Sequence, residues 1–120
     1  MKKDFILYVE DDEDNRELLQ FMFKNAGYEL KTCQTGEEAL AVARQERISA
    51  YILDNWLGDM TGINLCREIR TFDCETPIIF FSGVCFPKDR NAGLTAGAQS
   101  YLVKPDDLDK VIKTVEQLTS

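Results

Sequence analysis

Apolar and polar positions fall into blocks that change period along the chain. FILYVE (5–10) is a short apolar, β-prone run ending in acid, and predicts a strand. Leu18, Leu19, Met22, Phe23 and Ala26 then recur at spacings of three and four, one face of a helix, with Gly27 where a helix C-terminus favours glycine. YELKTC (28–33) alternates as a half-buried or edge strand does, and GEEALAVARQ (36–45) predicts a second helix. ISAYILD (48–54) is a strongly apolar strand, and GINLCREIR (62–70) is a helix through Ile63, Cys66 and Ile69. Pro77 opens a buried strand, IIFFS; residues 87–97 form a weakly patterned, glycine-containing helix; SYLVK (100–104) is the last strand. Leu108, Val111, Ile112, Val115 and Leu118 mark a final amphipathic helix.

Near-continuous apolar strands that alternate with helices predict an α/β fold, a parallel sheet covered on both faces. Residues 1–120 have the size of one domain, with no repeat, linker or output domain expected within them. Ligands of such sheets bind beyond the carboxyl ends of the strands. The residues expected there are Glu10, Asp11 and Asp12 after strand 1, Asp54 after strand 3, Ser82 after strand 4 and Lys104-Pro105 after strand 5.

Composition narrows the chemistry. With 21 acidic against 14 basic residues the formal charge is −7, which argues against a direct nucleic-acid contact and against an anionic membrane surface. No apolar run approaches the ~20 residues of a membrane span, and the opening MKKDFILYVEDD is too short for a signal segment. A cytoplasmic protein without membrane insertion is expected. The absence of histidine removes histidine-based triads, and with no C-x-x-C either it argues against a zinc site. Cys33, Cys66, Cys74 and Cys85 read as reduced thiols in or near the core.

Carboxylates, hydroxyls, a lysine and a metal remain. Clustered carboxylates repel, and one takes up a proton unless a cation intervenes. An all-oxygen donor set suits Mg²⁺. Singly, each residue has an ordinary reading. Glu10, Asp11, Asp12, Glu13 and Asp14 can be helix-start charges, Asp54 and Ser82 turn residues, and Lys104 a solvated charge.

Taken together, ILYVEDDEDNRELL, YILDNWLGDMTGINLCREIR, PIIFFSG and YLVKP resemble the receiver domain of two-component response regulators over essentially the whole chain. The resemblance implies a doubly wound (βα)5, flavodoxin-like three-layer sandwich with strand order 2-1-3-4-5. It implies that Asp54 is the phosphoacceptor, taking a phosphoryl group from a sensor histidine kinase or a histidine phosphotransfer protein. Mg²⁺, with Mn²⁺ or Ca²⁺ as substitutes, would be held by Asp11, Asp54 and the Trp56 backbone carbonyl, with Glu10 acting through water. Lys104 would pair with the phosphoryl group, and with Asp54 in its absence. Ser82 and nearby N–H groups beside Gly83 would donate to the phosphoryl oxygens, and Pro105 would fix the lysine's loop.

Ser82 and Tyr101 would form the switch. A downstream protein target would meet the face made by the fourth helix, fifth strand and fifth helix. Such a domain catalyses its own phosphorylation and dephosphorylation and is not an enzyme on an external substrate. Four positions depart from the family's usual residues. Ser82 stands for threonine, Gly83 for alanine, Thr61 for aspartate, and Gly58 for proline, which should loosen the loop. Trp56 stands where side chains gate water's approach to the acyl phosphate, so slow self-dephosphorylation is expected.

Rival readings fit less well. A haloacid-dehalogenase-type phosphatase needs a second acid two residues after Asp54, where Trp56 stands. DDEDN lacks the glycine and the position-twelve glutamate of a calcium loop. A flavodoxin-type cofactor loop would not be acidic and glycine-free. A degenerate receiver that binds partners without phosphorylation shares the fold, but here every chemical position is filled.

Overall fold

The computed structural model describes residues 5–84 and 86–120. Its elements are β1 (Phe5–Val9), α1 (Glu13–Asn25), β2 (Leu30–Cys33), α2 (Gly36–Gln45), β3 (Ile48–Leu53), α3 (Gly62–Arg70), β4 (Ile78–Ser82), α4 (Pro87–Ala96), β5 (Ser100–Val103) and α5 (Val111–Thr119), the last preceded by a 3-10 turn over Leu108–Lys110. The strands pair in parallel in the order β2-β1-β3-β4-β5, as expected.

The alternation of strand side chains builds two cores. Phe5, Leu7 and Val9 join Leu40, Leu65, Ile69, Phe80 and Tyr101 on the side of α2, α3 and α4. Ile6 and Tyr8 join Leu19, Phe23, Ile79, Phe81, Val111 and Val115 on the side of α1 and α5. Each large side chain withdrawn from water contributes roughly 1.5–3 kcal/mol before entropy is counted. Local signals set the helix starts: Asp12, Thr35 and Thr61 accept from the N–H groups of Asn15, Glu38 and Asn64 at 2.9, 3.1 and 3.1 Å. The α4 helix has no side-chain cap and begins on Pro87.

Two details differ from the sequence expectation. The second strand starts at Leu30, because Gly27 turns the chain at φ +88° and the Tyr28 N–H still bonds Phe23 O at 2.9 Å, finishing α1. Cys33 and Cys66 are buried thiols, but Cys74 lies exposed in the turn after α3; Cys85 falls outside the described residues. Among the described residues no helix is long and apolar enough to cross a membrane.

Register fixes the site. Val9 pairs with Leu53, Leu53 with Phe80, and Ser82 with Val103. The next residues along β1, β3 and β5 are Glu10, Asp54 and Lys104, all released at one edge of the sheet.

Candidate functional site

Glu10 is 1% exposed although it is ionisable. Its Oε1 accepts from the Asn15 side-chain amide at 2.9 Å, and its Oε2 from Lys104 Nζ at 3.0 Å. Its carbonyl accepts from the Arg16 guanidinium at 2.9 Å, and its N–H donates to Cys33 O at 3.0 Å. Asp54, also buried, accepts from the Asn55 N–H at Oδ1, 2.8 Å away, and its Oδ2 lies 3.6 Å from Lys104 Nζ. Asp11 stands exposed at the rim. One carboxylate oxygen each from Glu10, Asp11 and Asp54 lies within 4.8 Å of the others, a spacing one small cation could span.

Lys104 therefore serves two acids, and its shorter contact is with Glu10 rather than Asp54. It is held from behind: its N–H donates to Ser82 O at 2.9 Å, and the Lys104-Pro105 peptide is cis. One ammonium does not balance two buried carboxylates. Burial first, then contact with the Asp54 carboxyl, pushes the Glu10 carboxyl up to about 7. Burial, Glu10 and Asp54 likewise raise the phenol of Tyr8, which lies beneath in the sheet.

The loop from β3 to α3 carries Trp56, whose indole is 61% exposed. Gly58 adopts φ +85°, a turn closed to proline, whose ring holds φ near −65°. The glycine here does more than relax the loop. It reverses the chain so that Trp56 bridges Thr61 and the Leu57 N–H reaches Met60 O at 3.3 Å. Gly62 is needed too, since a Cβ there would stand 2.3 Å from the Asp54 carbonyl oxygen.

On the far side, Ser82 is fully buried and its Oγ accepts from the Val84 N–H at 3.2 Å. Tyr101 is turned inward, its ring stacked on Phe80 at 5.3 Å and its hydroxyl donating to Val84 O. The backbone of Val84 thus touches both residues expected to form a switch. Gly83 is exposed, and a Cβ there would meet nothing within 4 Å, so an alanine would fit.

Glu10, Asp11, Asp54 and Lys104 meet at one edge, as their strand-end positions imply, and Asn15, Arg16 and Asn55 join them there without a signal in the strand pattern. Asn15 and Arg16 lie in the first turn of α1, five and six residues past Glu10, where side chains can reach back to a strand end. A polar pair there after an acid-terminated strand was the available signal. Asn55 is 4% exposed; besides its bond to Asp54 its Oδ1 accepts from the Ile63 N–H at 3.3 Å, tying the acid to the start of α3.

Comparison with known proteins gives a consistent picture. The family model for the response regulator receiver domain matches residues 6–116. The response regulator MprA of Mycolicibacterium vanbaalenii is 34% identical over 113 residues, covering 94% of this chain and 49% of its own length. A probable transcriptional regulator, ycf27, of Pyropia yezoensis is 38% identical over 104 residues, covering 87% of this chain and 42% of its own. The chain thus spans about half the length of the curated relatives it matches. Among solved structures, the receiver domain of Francisella response regulator 1452 superposes with a TM-score of 0.91 at 25% identity, covering 98% of this chain and 97% of the other. The response regulator TrrA of Thermotoga maritima, in complex with Mg²⁺-BeF, gives 0.86 at 29% identity, covering 97% and 99%.

The raised Glu10 value has a direction in stability. Folded Glu10 binds its proton more tightly than the unfolded side chain, so its penalty is absent below the ordinary value of 4.5 and grows as pH rises through about 7. In chelator, the melting temperature is expected to be lower at pH 8 than at pH 5 by roughly 5 °C, and Glu10→Gln removes most of that difference. An undiminished difference in Glu10→Gln would place its origin elsewhere.

Proposed function

The chain belongs to the response regulator receiver family of two-component systems, and from that membership we propose that it takes a phosphoryl group onto Asp54 in a Mg²⁺-dependent reaction. The observation that carries the proposal is the cluster of Glu10, Asp11 and Asp54, three oxygen donors within 4.8 Å, whose carboxylates among the described residues are met by one lysine, Lys104. These carboxylates and the Trp56 carbonyl would hold the ion, with Mn²⁺ or Ca²⁺ as substitutes. Bound there, Mg²⁺ supplies charge neutralisation for the phosphoryl oxygens and for the acids.

The chain's own groups do the rest. A carboxylate oxygen of Asp54 attacks the phosphorus of a phosphohistidine on a sensor kinase or phosphotransfer protein. The P–N bond breaks, and its electron pair returns to the imidazole. Asn55 keeps the other Asp54 oxygen engaged and so orients the nucleophile. Lys104 sits within reach of both Asp54 and Glu10, and on transfer its ammonium turns to the phosphoryl oxygens. The Ser82 hydroxyl, engaged by the Val84 N–H before transfer, becomes a donor to the phosphoryl group. Since Val84 O also accepts from Tyr101, movement of Ser82 is felt at β5, and the face of α4, β5 and α5 presents the change to a downstream protein.

Receiver domains are not enzymes on an external substrate; the self-catalysed transfer and hydrolysis at Asp54 belong to this proposal. So do a cytoplasmic location and the reading of residues 1–120 as one receiver unit. The degenerate-receiver alternative is not favoured, because every side chain the chemistry requires is present. Some relatives are described as transcriptional regulators of about twice this length. The acidity of these 120 residues is therefore no argument about nucleic acid in a longer protein.

A small acyl phosphate donor with Mg²⁺ is expected to add one phosphoryl group, seen by intact mass, and to add none to Asp54→Ala or in chelator. Equal labelling of Asp54→Ala would assign the acceptor elsewhere. The exposed indole of Trp56 should obstruct in-line attack by water, so Trp56→Asn is expected to shorten the phosphoprotein half-life several-fold; an unchanged or longer half-life contradicts that role.

A further inference from the structure

The loop between β3 and α3 is pinned at its far end to a helix outside the site. Asp59 Oδ1 accepts from the Gly36 N–H at 3.0 Å and Oδ2 from the Glu37 N–H at 3.0 Å. These are the first two amides of α2, donors that no carbonyl inside the helix can satisfy. The helix dipole favours a carboxylate at that end. Thr35 takes the Glu38 N–H, so the local cap and the distant Asp59 divide the donors between them. Burial pushes the Asp59 carboxyl up, but the bonds from Gly36 and Glu37 outweigh it, and the group titrates below the ordinary aspartate range.

Met60 seals the same junction. A Cβ on Gly36 would stand 2.4 Å from Met60 Sδ, so the glycine leaves room for the Met60 side chain against α2. Between tip and site the loop is short and internally tied. Leu57 is 1% exposed and its N–H donates to Met60 O, while Trp56 bridges Thr61 directly across from it. The one weak point is Gly58, whose backbone has the most freedom to lose and is not preset as a proline would be. The pairing of Trp56 with Thr61 and the buried Leu57 hold the near side of the loop, and Asp59 and Met60 fasten the part beyond Gly58 to α2.

We infer that Asp59 is a positioning residue, fastening the β3–α3 loop to α2 so that the Trp56 carbonyl is held ready for Mg²⁺. The inference rests on the metal site of the proposed function. Asp59 touches none of the reacting groups, and its effect reaches the ion only through the loop. Partners that hydrogen-bond a ligand directly contribute about 10-fold or more to metal affinity; Asp59, bonded to α2 rather than to a ligand, acts one step further out.

The test is a Mg²⁺ titration of the full chain followed by Trp56 fluorescence, paired with phosphorylation rates from a small acyl phosphate donor. Asp59→Ala is expected to weaken Mg²⁺ binding several-fold, short of the ~10-fold typical of a direct ligand partner, while the rate at saturating Mg²⁺ stays within about twofold of the parent. Asp59→Asn, which keeps one acceptor oxygen, should lose less. Gly36→Ala, which displaces Met60 from the helix side, should weaken Mg²⁺ in the same direction. Because Asp59 is exposed, its variants are expected to fold, and circular dichroism checks this. Lowered thermal stability with unchanged Mg²⁺ affinity in Asp59→Ala would reduce the residue to a helix cap and overturn the inference alone. No Mg²⁺ response in the parent would overturn the metal site itself, and this inference with it.

Discussion

Two carboxylates from different strands share one ammonium, and much of the architecture answers to that imbalance. Glu10 and Asp54 are both nearly closed off from water, and among the described residues Lys104 is the cation that contacts both carboxylates. Leaving an ionised acid unpaired in such a place costs several kcal/mol. The protein meets the cost with fixed dipoles: the Asn15 amide on Glu10 and the Asn55 N–H on Asp54. What these cannot neutralise appears as a proton held on Glu10 near neutral pH.

The parallel sheet brings those groups together. Charges separated by more than forty residues in sequence are neighbours because adjacent strands run in step and end on one edge. The helices then hold the loops in place. α1 returns Asn15 and Arg16 to Glu10, α3 receives Asn55, and α2 takes the tip of the loop that carries Trp56. Val84 links Ser82 to Tyr101 on the other side, so the pocket and the outer face of β5 share a single backbone unit.

The fold was legible because its signals are local or periodic. The apolar runs of β1, β3 and β4, the spacing of Ile63, Cys66 and Ile69, and the helix-start charge of Asp12 require no tertiary knowledge. Even the weakly patterned α4 emerged at Pro87–Ala96. The four charged residues at strand ends were legible for the same reason. What stayed hidden was cross-chain. Lys104's closer contact with Glu10, the reach of Asp59 to an amide 23 residues away and the tie from Asn55 to Ile63 leave no periodic trace. Gly58 carries more than the looseness that a missing proline implies, since its positive φ also builds the turn that others then fasten.

The central claim is that the buried acids lack one positive charge, which a divalent cation supplies. A carboxyl-resolved NMR titration of Glu10, with and without saturating Mg²⁺, addresses it directly. The account predicts a midpoint near 7 in chelator that falls toward the ordinary 4.5 or below with Mg²⁺. A midpoint near 4.5 in both conditions, or one near 7 that Mg²⁺ leaves in place, would contradict it.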